Sequence, residues 1–262
     1  MTTNEAFTFL GDWSGQLVAT AIHAGHDLRE ETAALMALEE ADRLREEDPF
    51  TDQIGSLAPA HVVVNRSRFE VDLNREREKA VYRRPEDAWG LEMWTQDPLP
   101  DDVVARSLEV YDSFYDALGQ RLDQVAARGP FVVYDVHSYN HRRNGPDVPA
   151  EPVAENPEVN LGTGTVDKTK FGGVVDAFFD TMGKQLVGGH PLDVRENVKF
   201  EGRALSWFVH DRYPGVGCCL ALEFRKSFMD EWTGEPFPDR ISELQQALAA
   251  THKPVLEALR EL

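Results

Sequence analysis

The strongest constraint on the fold is the run FVVYDV, Phe131 to Val136, which carries almost no polar residue on either side of a would-be strand. A strand apolar on both faces must be covered on both faces, the condition met in parallel sheets flanked by helices. The stretch before it supplies a helix. From Asp101 to Arg128, Val104, Leu108, Tyr111, Tyr115, Leu118, Leu122 and Val125 recur at spacings of three and four, and Gly129-Pro130 stops the pattern. A second buried run, Val216 to Phe224, and a shorter one, Gln16 to Ile22, have the same character.

Between these runs the periodicity is helical or broken. Leu28 to Glu47 reads as a helix, His61 to Leu73 as a β-rich segment, Phe171 to Leu186 as a helix, and Pro238 to Leu262 as an amphipathic helix interrupted or restarted near Pro254. The Pro-, Asn- and Gly-rich segment from His141 to Glu158 reads as a loop beside an active site. The alternation predicts an α/β fold. At 262 residues, 42% of them apolar, one domain spanning 1–262 is the expectation.

Charge narrows the partners. The sequence holds 46 acidic and 27 basic side chains, a formal net charge of −19, which repels phosphate backbones and anionic lipid. No nucleic-acid or membrane partner is expected, and the start MTTNEAFTFL carries no signal-peptide pattern, so a cytoplasmic protein is expected. The only cysteines, Cys218 and Cys219, lie within the apolar run GVGCCLAL and read as core residues. An acidic substrate would need local arginines to reverse the field in its pocket.

In open α/β sheets, ligands gather beyond the carboxyl ends of strands. Three such ends carry ionisable groups: IHAGHD with His23 and His26, YDVHS with Asp135 and His137, and LALEF with Glu223. His23, His26 and His137 could give zinc three neutral nitrogens, leaving a fourth position for chemistry. A histidine pair three apart also occurs in surface turns, and a strand-end histidine also bonds to backbone. Asp135 reads as a structural partner on the strand face opposite His137. The segment RFEVDLNR (68–75) places an amide and a guanidinium side by side, a pair suited to a carboxylate, although such a charge-dense stretch also suits a solvated loop.

The order HAGH, RFEVDLNR, YDVHS, NLGTG, FEGR, LALEF resembles the N-formylglutamate amidohydrolase family over roughly Ile22 to Glu223. That family shows a PHxG-like start, an RxxxDLNR segment, a DxHS strand end, NLGT, an FxGG-like segment and a late glutamate in an apolar strand. Its wider superfamily includes zinc carboxypeptidases and aspartoacylase-like deacylases. The resemblance implies a three-layer, zinc-carboxypeptidase-like fold with a mixed, mostly parallel central sheet and helices on both faces. It implies that His23 and His137 bind Zn2+, that Arg68 faces the scissile carbonyl, that Asn74 and Arg75 hold the substrate carboxylate, and that Glu223 is general base and acid. Two positions depart from the pattern: carboxypeptidase-like relatives have glutamate where His26 stands, and Ile22 replaces the proline before the first histidine.

The third metal ligand is then His26 or, failing it, Asp27, Glu30 or Glu31. Arg142 and Arg143 on the loop, and Arg203, are candidate substrate clamps, and His210 in WFVHDRYPG either bonds substrate or caps a turn. The implied activity is zinc-dependent hydrolysis of the formyl or other small N-acyl amide of an acidic amino acid such as N-formylglutamate. A desuccinylase or aspartoacylase-like deacylase and a carboxypeptidase would use the same residues. From a different class stand a non-catalytic, metal-containing metabolite-binding protein and an acidic interaction protein with no site.

Overall fold

The computed structural model describes residues 5–262. The strands and helices run, in chain order, β1 (Phe7–Gly11), β2 (Leu17–Ala21), α1 (Glu30–Ala33), α2 (Glu40–Glu46), α3 (Thr51–Gly55), β3 (Ala60–Val64), α4 (Asp101–Ala126), β4 (Phe131–Tyr139) and β5 (Val159–Gly162). They continue with α5 (Lys168–Met182), β6 (Leu186–Val187), β7 (His190–Pro191), β8 (Val194–Glu196), α6 (Ala204–Arg212), β9 (Gly217–Arg225) and α7 (Pro238–Leu259). Seven strands form one sheet in the order β1-β3-β2-β4-β9-β5-β8. The central neighbours β3, β2, β4 and β9 are parallel, whereas β1 and β5 join antiparallel. The sheet is mixed and mostly parallel.

Strand alternation divides the core. Leu17 and Ala19 of β2, Val132, Tyr134 and Val136 of β4, and Leu220, Leu222 and Phe224 of β9 pack with α5 and α7. The residues between them, Val18, Phe131, Val133 and Cys219, pack on the other face with Phe114, Leu118, Leu122 and Val125 of α4 and Leu205 and Val209 of α6. Helices therefore cover both faces, as the doubly apolar strands require. Cys218 and Cys219 are free, buried and split between the two faces.

Three segments depart from the sequence expectation. Leu28 to Glu47 is not one helix: Ala37 N–H bonds to Met93 O, Thr95 N–H bonds to Leu35 O, and Met36 pairs with Trp94 as a β-bridge. These tertiary bonds take the backbone groups that a continuous helix would use, leaving the separate helices α1 and α2. The β-rich segment from His61 ends at Val64, because Asn65 and Ser67 exchange backbone hydrogen bonds with Asp27. In α7 the chain stays helical through Pro254, with Val255 and Leu259 buried against the sheet. Burying two such side chains, about 1.5–3 kcal/mol each, offsets the roughly 3 kcal/mol cost of an internal proline. Strand β1 was not anticipated; it lies on the edge of the sheet beside β3.

Candidate metal and active site

His23 follows β2 by two residues, and His137 and Glu223 lie inside β4 and β9 near their carboxyl ends. The parallel register sets His137 directly beside Glu223, and Asp135 beside Ala221. Alternation then puts Asp135, His137 and Glu223 on one face, the face that packs with α4 and α6. The expectation that Asp135 lies opposite His137 is thereby corrected, since residues two apart on a strand share a face. Asp135 Oδ2 comes within 3.1 Å of His137 Nε2, and its Oδ1 accepts a hydrogen bond from Thr20 Oγ1 at 2.7 Å.

The two imidazoles are held in the same manner. His23 Nε2 is 2.7 Å from Asp72 Oδ1, and the ring centroids of His23 and His137 are 4.8 Å apart. Both rings turn Nδ1 toward one oxygen: Asp48 Oδ2 lies 3.4 Å from His23 Nδ1 and 2.9 Å from His137 Nδ1. All three residues are buried, and one donor atom from each lies within 4.8 Å of the others. Carboxylates behind the Nε2 atoms fix ring orientation and tautomer, the arrangement that supports histidines as metal ligands.

The donor set suits a divalent ion. Two imidazole nitrogens and a carboxylate are ligands zinc prefers, and tetrahedral bonds of about 2.1 Å place donors roughly 3.4 Å apart, near the spacings seen here. His23 Nδ1 is buried without a hydrogen-bond partner among the described residues. Three buried carboxyl groups, Asp48, Asp72 and Asp135, and the half-buried Glu223 surround it. The protonation equilibria respond to that negative charge. Burial, opposed by His137 and Arg68 and reinforced by Asp48 and Asp135, pushes the Glu223 carboxyl up to about 8. His137 is held well above the usual imidazole range, because Asp135 and Asp48 outweigh its burial. Asp48 is held far below the usual carboxylate range by the two imidazoles, again against burial. A cluster that retains protons to lower its own charge is one a cation stabilises.

The loop carrying Asp48 is fastened from several sides. Asp48 N–H bonds to His23 O at 2.9 Å, and the buried Lys226 ammonium donates to the carbonyls of Arg45 and Glu47 at 2.6 Å each. Asn140 Nδ2 adds a bond to Arg45 O at 2.9 Å. The DLNR segment folds around Asp72, which accepts from Asn74 N–H at 2.8 Å and Arg68 Nη2 at 2.9 Å, and from the Tyr82 hydroxyl. Far from a solvated loop, it buries Ser67, Phe69, Glu70 and Asp72 completely or nearly so. Gly25 is required here: a Cβ would stand 2.1 Å from the Asn65 carbonyl carbon.

A cavity of about 140 Å³ opens over this cluster. His23, His137, Glu223, Arg68, Asn74, Arg75 and Arg143 all line it, as does Arg203. Three of the residues singled out from sequence do not. His26 faces away from the cluster, its Nδ1 bonded to Glu47 and its Nε2 accepting from Arg43 Nη2 at 3.0 Å, so it is not the third donor beside His23 and His137. Arg142 turns its guanidinium to Pro146 O. His210 sits at 2.7 Å from Thr165 Oγ1 and accepts Cys219 N–H at 2.9 Å, satisfying a β9 donor beyond the end of β5. Burial lowers the pKa of His210, in keeping with a neutral ring that accepts at one nitrogen.

Sequence reasoning missed Asp48, Glu46, Asn140 and Lys226. The alternatives Asp27 and Glu30 are exposed, and Glu31 pairs with Arg29 at 3.1 Å and Arg106 at 3.0 Å. The only signal for Asp48 is an acidic run, Glu46-Glu47-Asp48, cut off by Pro49 after a helical pattern.

Fold and site together define an α/β protein with a buried histidine–carboxylate cluster, of a composition that could hold a metal ion, at the carboxyl ends of parallel strands. The family model for N-formylglutamate amidohydrolase matches residues 15–229, and the chain belongs to that family. Among solved structures it is similar to an N-formylglutamate amidohydrolase from Ralstonia eutropha, with a TM-score of 0.75 and 16% identity over 98% of this chain and 99% of that one. It is also similar to a gene product of Agrobacterium tumefaciens, with a TM-score of 0.66 and 15% identity over 97% of this chain and 96% of that one. At such identities the likeness speaks for the fold. No curated protein sequence matches.

Proposed function

We propose that this chain is a zinc-dependent amidohydrolase that removes a formyl or similarly small acyl group from an acidic amino acid, N-formylglutamate being the type substrate. The observation that carries the reading is the convergence of His23, Asp48 and His137 on one point, with Glu223 in register beside His137. His23, Asp48 and His137 would hold a divalent ion, which would supply Lewis acidity to polarise the carbonyl and acidify water. The protein's own groups supply the rest. Glu223 takes the proton of the attacking water and returns it to the leaving nitrogen, and surroundings that favour its protonated form suit the second transfer. The Arg68 guanidinium, braced by Asp72 at 2.9 Å and Tyr82 at 3.2 Å, is preorganised to donate to the developing oxyanion.

Asn74 and Arg75 line the same cavity and hold the substrate carboxylate. Arg143, tied to Glu46 at 3.3 Å, adds positive charge at the wall. These arginines answer the repulsion an anion meets from a chain of net charge −19, and the same charge argues for a small-molecule substrate over nucleic acid or membrane. No helix among the described residues is long and apolar enough to cross a membrane. We read the chain as one domain, since a single sheet draws strands from Phe7 to Arg225.

The test is hydrolysis of N-formyl-L-glutamate, with N-acetyl and N-succinyl amino acids and short peptides in parallel, before chelation, after it, and after zinc is restored. Formyl release that chelation stops and zinc restores supports the reading. Preferential cleavage of succinyl substrates or of peptides favours the deacylase or carboxypeptidase reading, and tight zinc-dependent binding without turnover favours a metabolite-binding protein.

A further inference from the structure

The cavity over the cluster continues into a second hollow of about 410 Å³. Asn74, Arg75, His137, Phe200, Arg203 and Glu223 line both. His23, Asp48 and Arg68 line only the smaller lobe, of about 140 Å³, whereas Lys79 and Trp207 line only the larger. This asymmetry orients a substrate. The carbon under attack must lie next to the two histidines, Asp48 and the oxyanion donor Arg68, so the acyl group falls in the smaller lobe. The leaving nitrogen receives its proton from Glu223, at the junction, so the amino acid attached to it extends into the larger lobe. Asn74 and Arg75, also at the junction, stand where an α-carboxylate one carbon from that nitrogen would be.

The cations around the two lobes are not equivalent. Arg68 pairs with Asp72 at 2.9 Å, Arg75 with Asp72 at 3.5 Å, Lys79 with Glu76 at 2.6 Å, Arg143 with Glu46 at 3.3 Å and Lys199 with Glu151 at 3.2 Å. Lys226 is engaged by two carbonyl oxygens at 2.6 Å. Among the described residues, Arg203 alone of these lining cations has neither a carboxylate nor a carbonyl for its side chain. Its backbone is placed by a glycine: Gly202 has a φ of +100°, and a Cβ there would meet Ser206 Oγ at 2.8 Å. Arg203 is thereby set at the start of α6, over both lobes.

We infer that the leaving amino acid occupies the larger lobe with its side-chain carboxylate on Arg203. The inference rests on the hydrolase reading above and deepens it. Arg203 is a specificity residue for a second negative charge, distinct from the α-carboxylate contact at Arg75.

The experiment compares zinc-loaded wild type, Arg203→Ala and Arg203→Lys on N-formyl-L-glutamate and its neutral isostere N-formyl-L-glutamine. Calorimetric binding of free L-glutamate and L-glutamine runs alongside. A charge-assisted contact of this kind gives a glutamate-over-glutamine preference in kcat/KM that falls about 10- to 100-fold in Arg203→Ala, mainly through KM. Arg203→Lys keeps part of it. An unchanged preference in Arg203→Ala overturns the inference. Should wild type turn over neither formyl substrate, the hydrolase reading falls. The binding isotherms then still decide the carboxylate contact: preference for glutamate lost in Arg203→Ala supports it, and equal preference in both proteins rejects it.

Discussion

His23 and His26 stand three residues apart, and each meets one of two successive acids, Asp48 and Glu47, yet their surroundings are opposite in kind. Around His26 the chain supplies its own cation: Arg43 donates to Nε2 and lies 3.6 Å from Glu47, and Ser67 donates to the other Glu47 oxygen. Every partner is satisfied and the group is closed. Around His23 and His137 stand the carboxyl groups of Asp48, Asp72, Asp135 and Glu223, and His23 Nδ1 has no hydrogen-bond partner among the described residues. The same residue types build a structural clamp where an arginine closes the group, and a cluster that could hold a metal ion where two imidazoles and a carboxylate converge.

Replacing each histidine in turn breaks this comparison most directly. His23→Ala is expected to abolish zinc-dependent turnover and to weaken zinc binding by more than the roughly 10- to 100-fold typical of lost outer partners, whereas His26→Ala retains one zinc per chain. Competition titration with a chelating dye reads both, and equal zinc loss in the two variants would erase the distinction. Glu223→Gln separates binding from chemistry at the same centre. It should bind zinc as wild type does while kcat falls about 10²- to 10⁴-fold, and undiminished kcat would remove Glu223 from the mechanism.

Smaller effects sharpen the contrast. Asp72→Asn weakens the orientation of His23 without removing a donor, so zinc affinity should drop roughly 10- to 100-fold; an unaltered affinity would mean that Asp72 serves only the fold. His26→Ala, measured by urea unfolding, should cost about 1 kcal/mol, the worth of a hydrogen-bonded clamp and not of a metal ligand.

His252 offers a third imidazole environment, near the Tyr134 ring, with a ring-centroid distance of 5.9 Å. Burial pushes its pKa down from 6.5 to about 4. As pH falls from 6.5 toward 4 the unfolded chain takes up a proton that the folded protein does not, so stability is lost across that window. His252→Gln should reduce the difference between urea midpoints at pH 7 and pH 5. A difference unchanged from wild type would assign the acid sensitivity to other groups.

Much of the site was legible because it lies where the chain's local pattern changes. His137 and Glu223 fall at the ends of doubly apolar runs, and RFEVDLNR stands out by its side-chain order. Asp48 was not legible, since nothing local separates one acid in Glu46-Glu47-Asp48 from its neighbours. Its selection depends on Lys226 and Asn140, both remote in sequence, fixing the loop. His210 misled for a related reason: a histidine on a helix looks the same whether it faces a ligand or completes the hydrogen bonding of a strand edge.

Taken alone, the sequence determined the layered α/β plan, the strand ends that carry His23, His137 and Glu223, and the arginine-bearing turn between them. Those are consequences of apolar periodicity, which acts over a few residues. Only the tertiary structure decided that Asp48 and not His26 joins the two histidines, and that Arg203, among the described residues, stands over two lobes with no carboxylate or carbonyl partner for its side chain. Those outcomes depend on which charges end up sharing a space too small and too dry for water to screen them, and that is settled by how distant segments pack.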